Sequence, residues 1–222
     1  MNPKQHGFRS GRSYVSQLLK HHNKILEVLE KSNNVDVIYS DFAKAFDKVD
    51  HGILQNKLKK NGINGKIGVW IHNFLSNRQQ CVAVNRITSS EAQVRSDLPQ
   101  GSVLGPLLFL IHISDINYEI AESTVSCFAD DTRILLGIKE EEDTQMLQND
   151  LNKLYKWANT NNMKFNANIF ELLRYGKEQE IKSATTYKSY DDSNIDDKEK
   201  VRDLGIMMSN RATFTLHIRN IV

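Results

Sequence analysis

Two apolar, β-prone runs, Thr124 to Ala129 and Thr132 to Ile138, meet at a pair of adjacent carboxylates, Asp130-Asp131. The pattern predicts a tight hairpin with an acidic tip. Charged side chains are almost never buried unless paired, so such a tip must face solvent or a cation. Adjacent carboxylates repel, and a metal ion relieves that repulsion. An Asp-rich turn also has a plainer explanation, since Asp hydrogen-bonds its own backbone in turns. A second carboxylate, Asp41, closes a short β-rich run, Val35 to Ser40, and Asp47 follows. Taken alone, an Asp at a strand end is often only a cap for the next segment.

Other elements are readable from periodicity. Tyr14, Leu18, Leu19, Ile25, Leu26 and Leu29 fall at helical spacing, with Ser10 or Ser13 as cap. His51 to Lys60 and Lys66 to Leu75 read as two more helices, punctuated by Asn61-Gly62 and Asn64-Gly65. Gln80 to Ile87 alternates and reads as one hairpin arm, with Glu91 to Ser96 as the return. A helix is expected from Leu107 to about Ala121, another around Leu147 to Ala158, and strands at Phe170 to Tyr175 and Val201 to Met208. Lys177 to Lys200 is polar and aperiodic and reads as a linker. Helices and strands mix without regular alternation, which argues an α+β fold rather than a doubly wound sheet.

Composition narrows function less than it narrows class. Lys and Arg number 29 against 27 Asp and Glu, a net charge of +2, which excludes a basic coat but not a local basic groove. Lys57, Lys59, Lys60 and Lys66, with Arg9 and Arg12, are candidates for such a groove or a merely solvated face. Cys81 and Cys127 each sit in an apolar stretch and read as buried free thiols of a reducing compartment. The run from Val103 to Ile113 falls short of the about 20 residues that span a bilayer, and the start lacks a signal-peptide core. No membrane role and an intracellular location are expected.

Three segments in order carry the chemistry. Asp41-Phe42-Ala43-Lys44-Ala45-Phe46-Asp47 is followed by Pro99-Gln100-Gly101-Ser102-Val103-Leu104-Gly105-Pro106, then by Phe128-Ala129-Asp130-Asp131. Glycines let backbone approach a ligand, and the two prolines limit the second segment's other conformations. This order resembles motifs A, B and C of reverse transcriptases. Gln5-His6-Gly7-Phe8-Arg9, Trp70 to Leu75 and Asn162-Met163-Lys164-Phe165-Asn166 resemble the non-LTR (LINE-type) retrotransposon branch, and Asp203-Leu204-Gly205 its primer grip.

The resemblance implies a right-hand polymerase palm, an antiparallel sheet with helices on one face, with partial fingers and no thumb. By it, residues 1–34 are partial fingers and a connecting helix, 35–176 the palm, 177–200 a linker, and 201–222 a primer-grip-like strand and truncated end. Asp41, Asp130 and Asp131 would be catalytic and, with the Phe42 carbonyl, would hold two Mg²⁺ ions, for which Mn²⁺ can substitute. Phe46 would be the steric gate against a ribose 2′-hydroxyl, which argues against an RNA-making polymerase. Gln100, Gly101 and Ala129 would flank the nucleotide and primer end, and Leu204 and Gly205 would grip the primer. Implied partners are an RNA template, a DNA primer, dNTP, and the fingers and thumb of a parent polyprotein. The other reading is an inactive remnant that at most binds nucleic acid. Three departures stand out: Asp97-Leu98 where the family usually has Gly-Val, and Ile169 where it usually has a lysine. Asp47 and Asp50 read better as helix N-terminal acids than as ligands, and His51 finds no partners at zinc spacing.

Overall fold

The computed structural model describes residues 4–32, 34–94, 96–166, 169–176 and 186–212, with residue 218. At its centre runs β1 (Asn34–Ser40), every residue of which is buried. It pairs antiparallel with β7 (Asp131–Ile138) on one side and β8 (Glu171–Gly176) on the other. The edge strands are β6 (Thr124–Phe128), antiparallel to β7, and β9 (Asp196–Lys198), parallel to β8, in the order β6-β7-β1-β8-β9. Alternation along β1 serves two cores. Ile38 points into one, and Val35, Val37 and Tyr39 into the other. A central strand covered on both faces is buried along its whole length, here including the polar Asn34, Asp36 and Ser40. Its one acid, Asp36, is buried, accepts from the Tyr187 hydroxyl at 2.7 Å and lies near Arg174.

The larger core is built by four helices. They are α2 (His51–Lys60), α3 (Gly65–Leu75), α4 (Leu104–His112) and α5 (Glu141–Thr160), contributing among others Leu54, Leu75, Phe109 and Leu151. Across the other face lie α1 (Tyr14–Ser32), through Ile25, and a hairpin of β10 (Lys200–Asp203) and β11 (Ile206–Ser209), through Val201 and Met208. Ser13 caps α1, its hydroxyl accepting from the Ser16 amide at 3.1 Å. Asp50 caps α2 in the same way through the Ile53 amide at 2.9 Å, the N-terminal role expected of it.

Several expectations change in three dimensions. The helix expected from Leu107 begins at Leu104, because a proline in the first turn loses no hydrogen bond and its φ is already helical. The arm expected from Gln80 to Ile87 turns back at Asn85-Arg86, both at positive φ (49° and 67°). It splits into β3 (Ala83–Val84) on β4 (Ile87–Thr88) and β2 (Gln79–Gln80) on β5 (Ala92–Gln93). Every strand residue of this projecting hairpin is exposed. Cys81, expected inside, is exposed with it, whereas Cys127 is buried. Of the expected linker, residues 177–185 lie outside the described residues. Residues 186–200 return to the body instead, with Tyr187 and Ile195 buried and β9 in the sheet. Two apolar anchors suffice for this in an otherwise polar stretch. Lys57 is buried rather than available to phosphates. Its ammonium donates to the Asp115 carboxylate at 2.6 Å and lies 4.9 Å from the Trp157 ring centre. Among the described residues no helix is long and apolar enough to cross a membrane.

Candidate active site

Register brings the separated acids together. Ser40 of β1 pairs with Thr132 of β7, and the next step of that antiparallel register sets Asp41 opposite Asp131. The β6–β7 hairpin closes through Ala129-Asp130, with Phe128 paired to Asp131 and Ala129 at φ 53°. All three carboxylates are partly buried. Burial, and then the charges of Asp130 and Asp131, push the Asp41 carboxyl up to about 6, against a hydrogen bond from the Phe42 amide. Burial also raises Asp130. Asp131 is raised by burial and by Asp130, while Arg133 opposes the shift. The site is thus a partly desolvated cluster of like charges.

A second layer holds Asp41 from behind. The segment ending at Asn166 runs antiparallel to residues 41–43. The Ala43 amide donates to the Lys164 carbonyl, and the Asn166 amide to the Asp41 carbonyl, both at 2.8 Å. This leaves the Phe42 carbonyl on the opposite edge, the β7 side. Phe42 itself stacks on Phe165 at 4.3 Å in the core.

The acidic turn is clamped by the N-terminal segment, a role that sequence reasoning missed. The His6 amide donates to the Cys127 carbonyl at 3.1 Å, and the Cys127 amide to the Lys4 carbonyl at 3.3 Å, extending the sheet past β6. The buried Gln5 side chain then holds both ends of the Ala129 residue. Its Nε2 donates to the Ala129 carbonyl at 3.1 Å, and its Oε1 accepts from the Ala129 amide at 2.9 Å and the Gly7 amide at 2.8 Å. A Cβ on Gly7 would stand 2.4 Å from the Ala129 nitrogen, so only glycine fits against this turn. The Gln5-His6-Gly7-Phe8 text was the available signal, but spacing alone did not say what it touches.

The remaining predicted residues spread around this centre. Phe46 is partly buried, stacked on Phe109 at 4.6 Å and edge-on to Phe8 at 5.9 Å. Gln100 donates to Asp47 at 3.3 Å, which ties its loop to the segment after Asp41. Gly101 sits at φ 79° with open space where a Cβ would be, so conformation rather than crowding demands glycine there. Leu204 and Gly205, at φ 45° and 86°, form the two-residue turn of the β10–β11 hairpin. That hairpin is tied to the acidic one through a buried pair in which Arg133 Nε donates to Asp203 at 2.9 Å. No hydrogen bond joins Leu204 or Gly205 to the carboxylates among the described residues. The departures have structural answers. Asp97 lies at φ 127°, a region that favours glycine, and its carboxylate pairs with Arg78. Leu98 is wholly buried in the larger core, and Ile169 is exposed.

Among the described residues no three His, Cys, Asp or Glu side chains stand as a ready-made metal shell. Mg²⁺ does not require one, since it takes one or two carboxylates and fills its other positions with water and substrate phosphates. Three neighbouring carboxylates, all raised by burial and two of them also by a neighbouring acid, with oxygen-only donors, suit a hard divalent cation.

A family model described as reverse transcriptase (RNA-dependent DNA polymerase) matches residues 1–207. Over 223 residues the chain is 27% identical to a probable RNA-directed DNA polymerase from transposon X-element of Drosophila melanogaster. It is 29% identical over 225 residues to the RNA-directed DNA polymerase of the mobile element jockey from the same organism. Each match covers 98% of this chain and 24% of the relative, so the chain spans about a quarter of those relatives' length. Among solved structures, an apo telomerase from Candida tropicalis truncated from its C-terminal domain is similar in fold. The TM-score is 0.62 at 12% identity, over 94% of this chain and 40% of that one. The same organism's telomerase in complex with a TWJ fragment of telomeric RNA has a TM-score of 0.58 at 12% identity, over 87% and 32%.

Two outcomes follow from the geometry. Because Asp41 holds its proton more tightly folded than unfolded, its contribution to stability falls as pH rises from the ordinary 3.8 toward about 6. In chelator at pH 7.5, Asp41→Asn should therefore raise Tm by about 2–4 °C, and the gain should shrink as pH is lowered to 4. A Tm that drops, or a gain indifferent to pH, would contradict the repulsion. Gly7→Ala should cost about 1–3 kcal/mol in urea unfolding by forcing the Ala129 backbone aside; an unchanged midpoint would show that the clamp is not tight.

Proposed function

The chain belongs to the reverse transcriptase (RNA-dependent DNA polymerase) family, and on that premise we propose that it is a polymerase palm that joins a dNTP to the 3′-hydroxyl of a DNA primer on an RNA template. The observation that carries this reading is the approach of Asp41 to the Asp130–Asp131 turn, whose charges add to burial in raising the Asp41 carboxyl. Asp41, Asp130 and Asp131, with the Phe42 carbonyl, would hold two Mg²⁺ ions, with Mn²⁺ able to substitute. When bound, such a pair makes the primer hydroxyl more acidic and neutralises the departing pyrophosphate.

The chain's own residues then have separate tasks. Gln5 and Gly7 keep the Ala129–Asp130 turn in one conformation, so the acids need no reorganisation when substrate arrives. Phe46, locked by its stack on Phe109, offers a fixed ring under the sugar, where a 2′-hydroxyl would clash. Gln100 and Gly101 present exposed backbone beside the nucleotide. Ala129, small and buried, leaves room for the primer end. The turn at Leu204-Gly205 would grip the primer, positioned by the Arg133–Asp203 pair. In this reading residues 35–176 are the palm, 1–34 partial fingers with a connecting helix, and 201–222 a primer-grip-like strand and the residues after it. The fingers and thumb of a parent polyprotein complete the hold on the duplex.

Primer extension on an RNA template with Mg²⁺ and dNTPs tests the assignment. Asp41→Asn and Asp130→Asn should each cost at least about 10²-fold in rate, and extension that survives both would refute the site. No extension by the folded wild-type chain would favour the inactive remnant. For the gate, Phe46→Val should lower the preference for dATP over ATP by at least about 10-fold. Unchanged selectivity in an active variant would return Phe46 to a packing role.

A further inference from the structure

Away from the carboxylates, a cavity of about 190 Å³ opens between α1, β6 and the N-terminal segment. One stripe of α1, Gln17, Lys20, His21 and Lys24, forms its wall, and Lys4 and His6 face it from the N-terminal segment. No acidic residue lines it. In a chain of net charge +2 this is a local concentration of cations, the kind of field that gathers an anion. Lys20 makes no ion pair among the described residues, while Lys24 shares Glu27 at 3.3 Å on the exposed side.

The floor of the cavity is polar and fixed. Gln17 is only 2% exposed as a residue and lines the cavity. An oxyanion in the cavity would accept from its side-chain amide. The two histidines add no competing charge. Burial and the neighbouring Arg12, Lys20 and Arg9 hold His6 down at about 4, and burial holds His21 at about 3. Both are therefore neutral at pH 7, engaged with Ser16 and Arg12 in one case and with Tyr39 in the other.

Position supplies the ligand's class. β6 runs from this cavity into the Ala129–Asp130 turn, four to six residues on, which is about 13–20 Å along a strand. We propose that this lysine-lined cavity holds a backbone phosphate of the nucleic acid whose end lies at the carboxylates, an anchor separate from the acidic site. The identity of the ligand rests on the polymerase reading, whereas the anion site rests on the cavity itself.

The test is fluorescence anisotropy of a labelled RNA–DNA primer–template with the full chain in EDTA, between 50 and 200 mM KCl. The double variant Lys4→Gln/Lys20→Gln should bind about 5–20-fold more weakly at 100 mM salt. The slope of log affinity against log salt should fall by about 1.5–2. Gln17→Leu should weaken binding with the slope unchanged, since it removes a hydrogen bond and no charge. Lys31→Gln, on the same helix but outside the cavity, should leave both quantities within about twofold of wild type. An unaltered slope in the double variant, or an equal loss in Lys31→Gln, overturns the proposal. So does competition by inorganic phosphate at matched ionic strength as strong as that by unlabelled duplex, which would reassign the cavity to a free anion. The two readings fail separately. Lysine-dependent binding without primer extension sinks only the polymerase reading, and extension with an unaltered slope sinks only this anchor.

Discussion

Three carboxylates are held closer than their charges favour, and much of the structure serves to keep them there. The register between β1 and β7 places Asp41 beside Asp131, and the hairpin closure adds Asp130. Each is partly removed from water, so the repulsion is felt more strongly than at a surface. A chain left to relax would splay this cluster. It does not, because the backbone at each acid is bonded elsewhere: Asp41 through the Asn166 amide, and the Ala129–Asp130 turn through Gln5. The cost of assembling like charges is met by hydrogen bonds and packing a few residues away, an arrangement typical of sites that gain their full stability only with a ligand bound.

The second organising contact is the pair between Arg133 and Asp203, both almost wholly buried. Buried pairs are poor sources of stability, because the desolvation of both charges offsets their attraction. Here the pair joins β7, two residues after Asp131, to β10, one residue before the Leu204-Gly205 turn. It therefore sets the relative position of two hairpins that share no backbone ladder with each other. Breaking it would strand a charge in the core, so the two hairpins are mechanically linked. The Arg133 charge also tempers Asp131, and the same side chain thus acts on position and on electrostatics.

Asp97 shows how a departure from a family pattern is accommodated. At φ 127° it occupies backbone space suited to glycine. Its carboxylate, which would add unwanted charge near a nucleotide, is paired with Arg78 instead. Leu98 beside it is a core residue with no exposure. Neither change reaches the three acids, so the local strain and the geometry of the candidate site are separable. The exposed hairpin between Gln79 and Gln93 is likewise independent of the sheet, since its strands pair only with one another.

Local signals were legible wherever the residues that decide an element lie next to each other. The capped helix from Tyr14, the acidic hairpin and the strand ending at Asp41 could be read because periodicity, capping and turn preference act over a few residues. The ordered motifs gave the family resemblance for the same reason, as each is a short contiguous text. What could not be read were contacts across long stretches of chain. That Gln5 grips Ala129, 124 positions away, that Arg133 meets Asp203, and that Tyr187 returns to Asp36 depend on which strands become neighbours. Nor could alternation reveal that Cys81 is exposed, since its hairpin projects from the body. The amino-acid order determined the pieces and the chemistry they carry. Only the assembled sheet decided which carboxylates share one space, because their repulsion, burial and support arise from neighbours that the chain supplies at a distance.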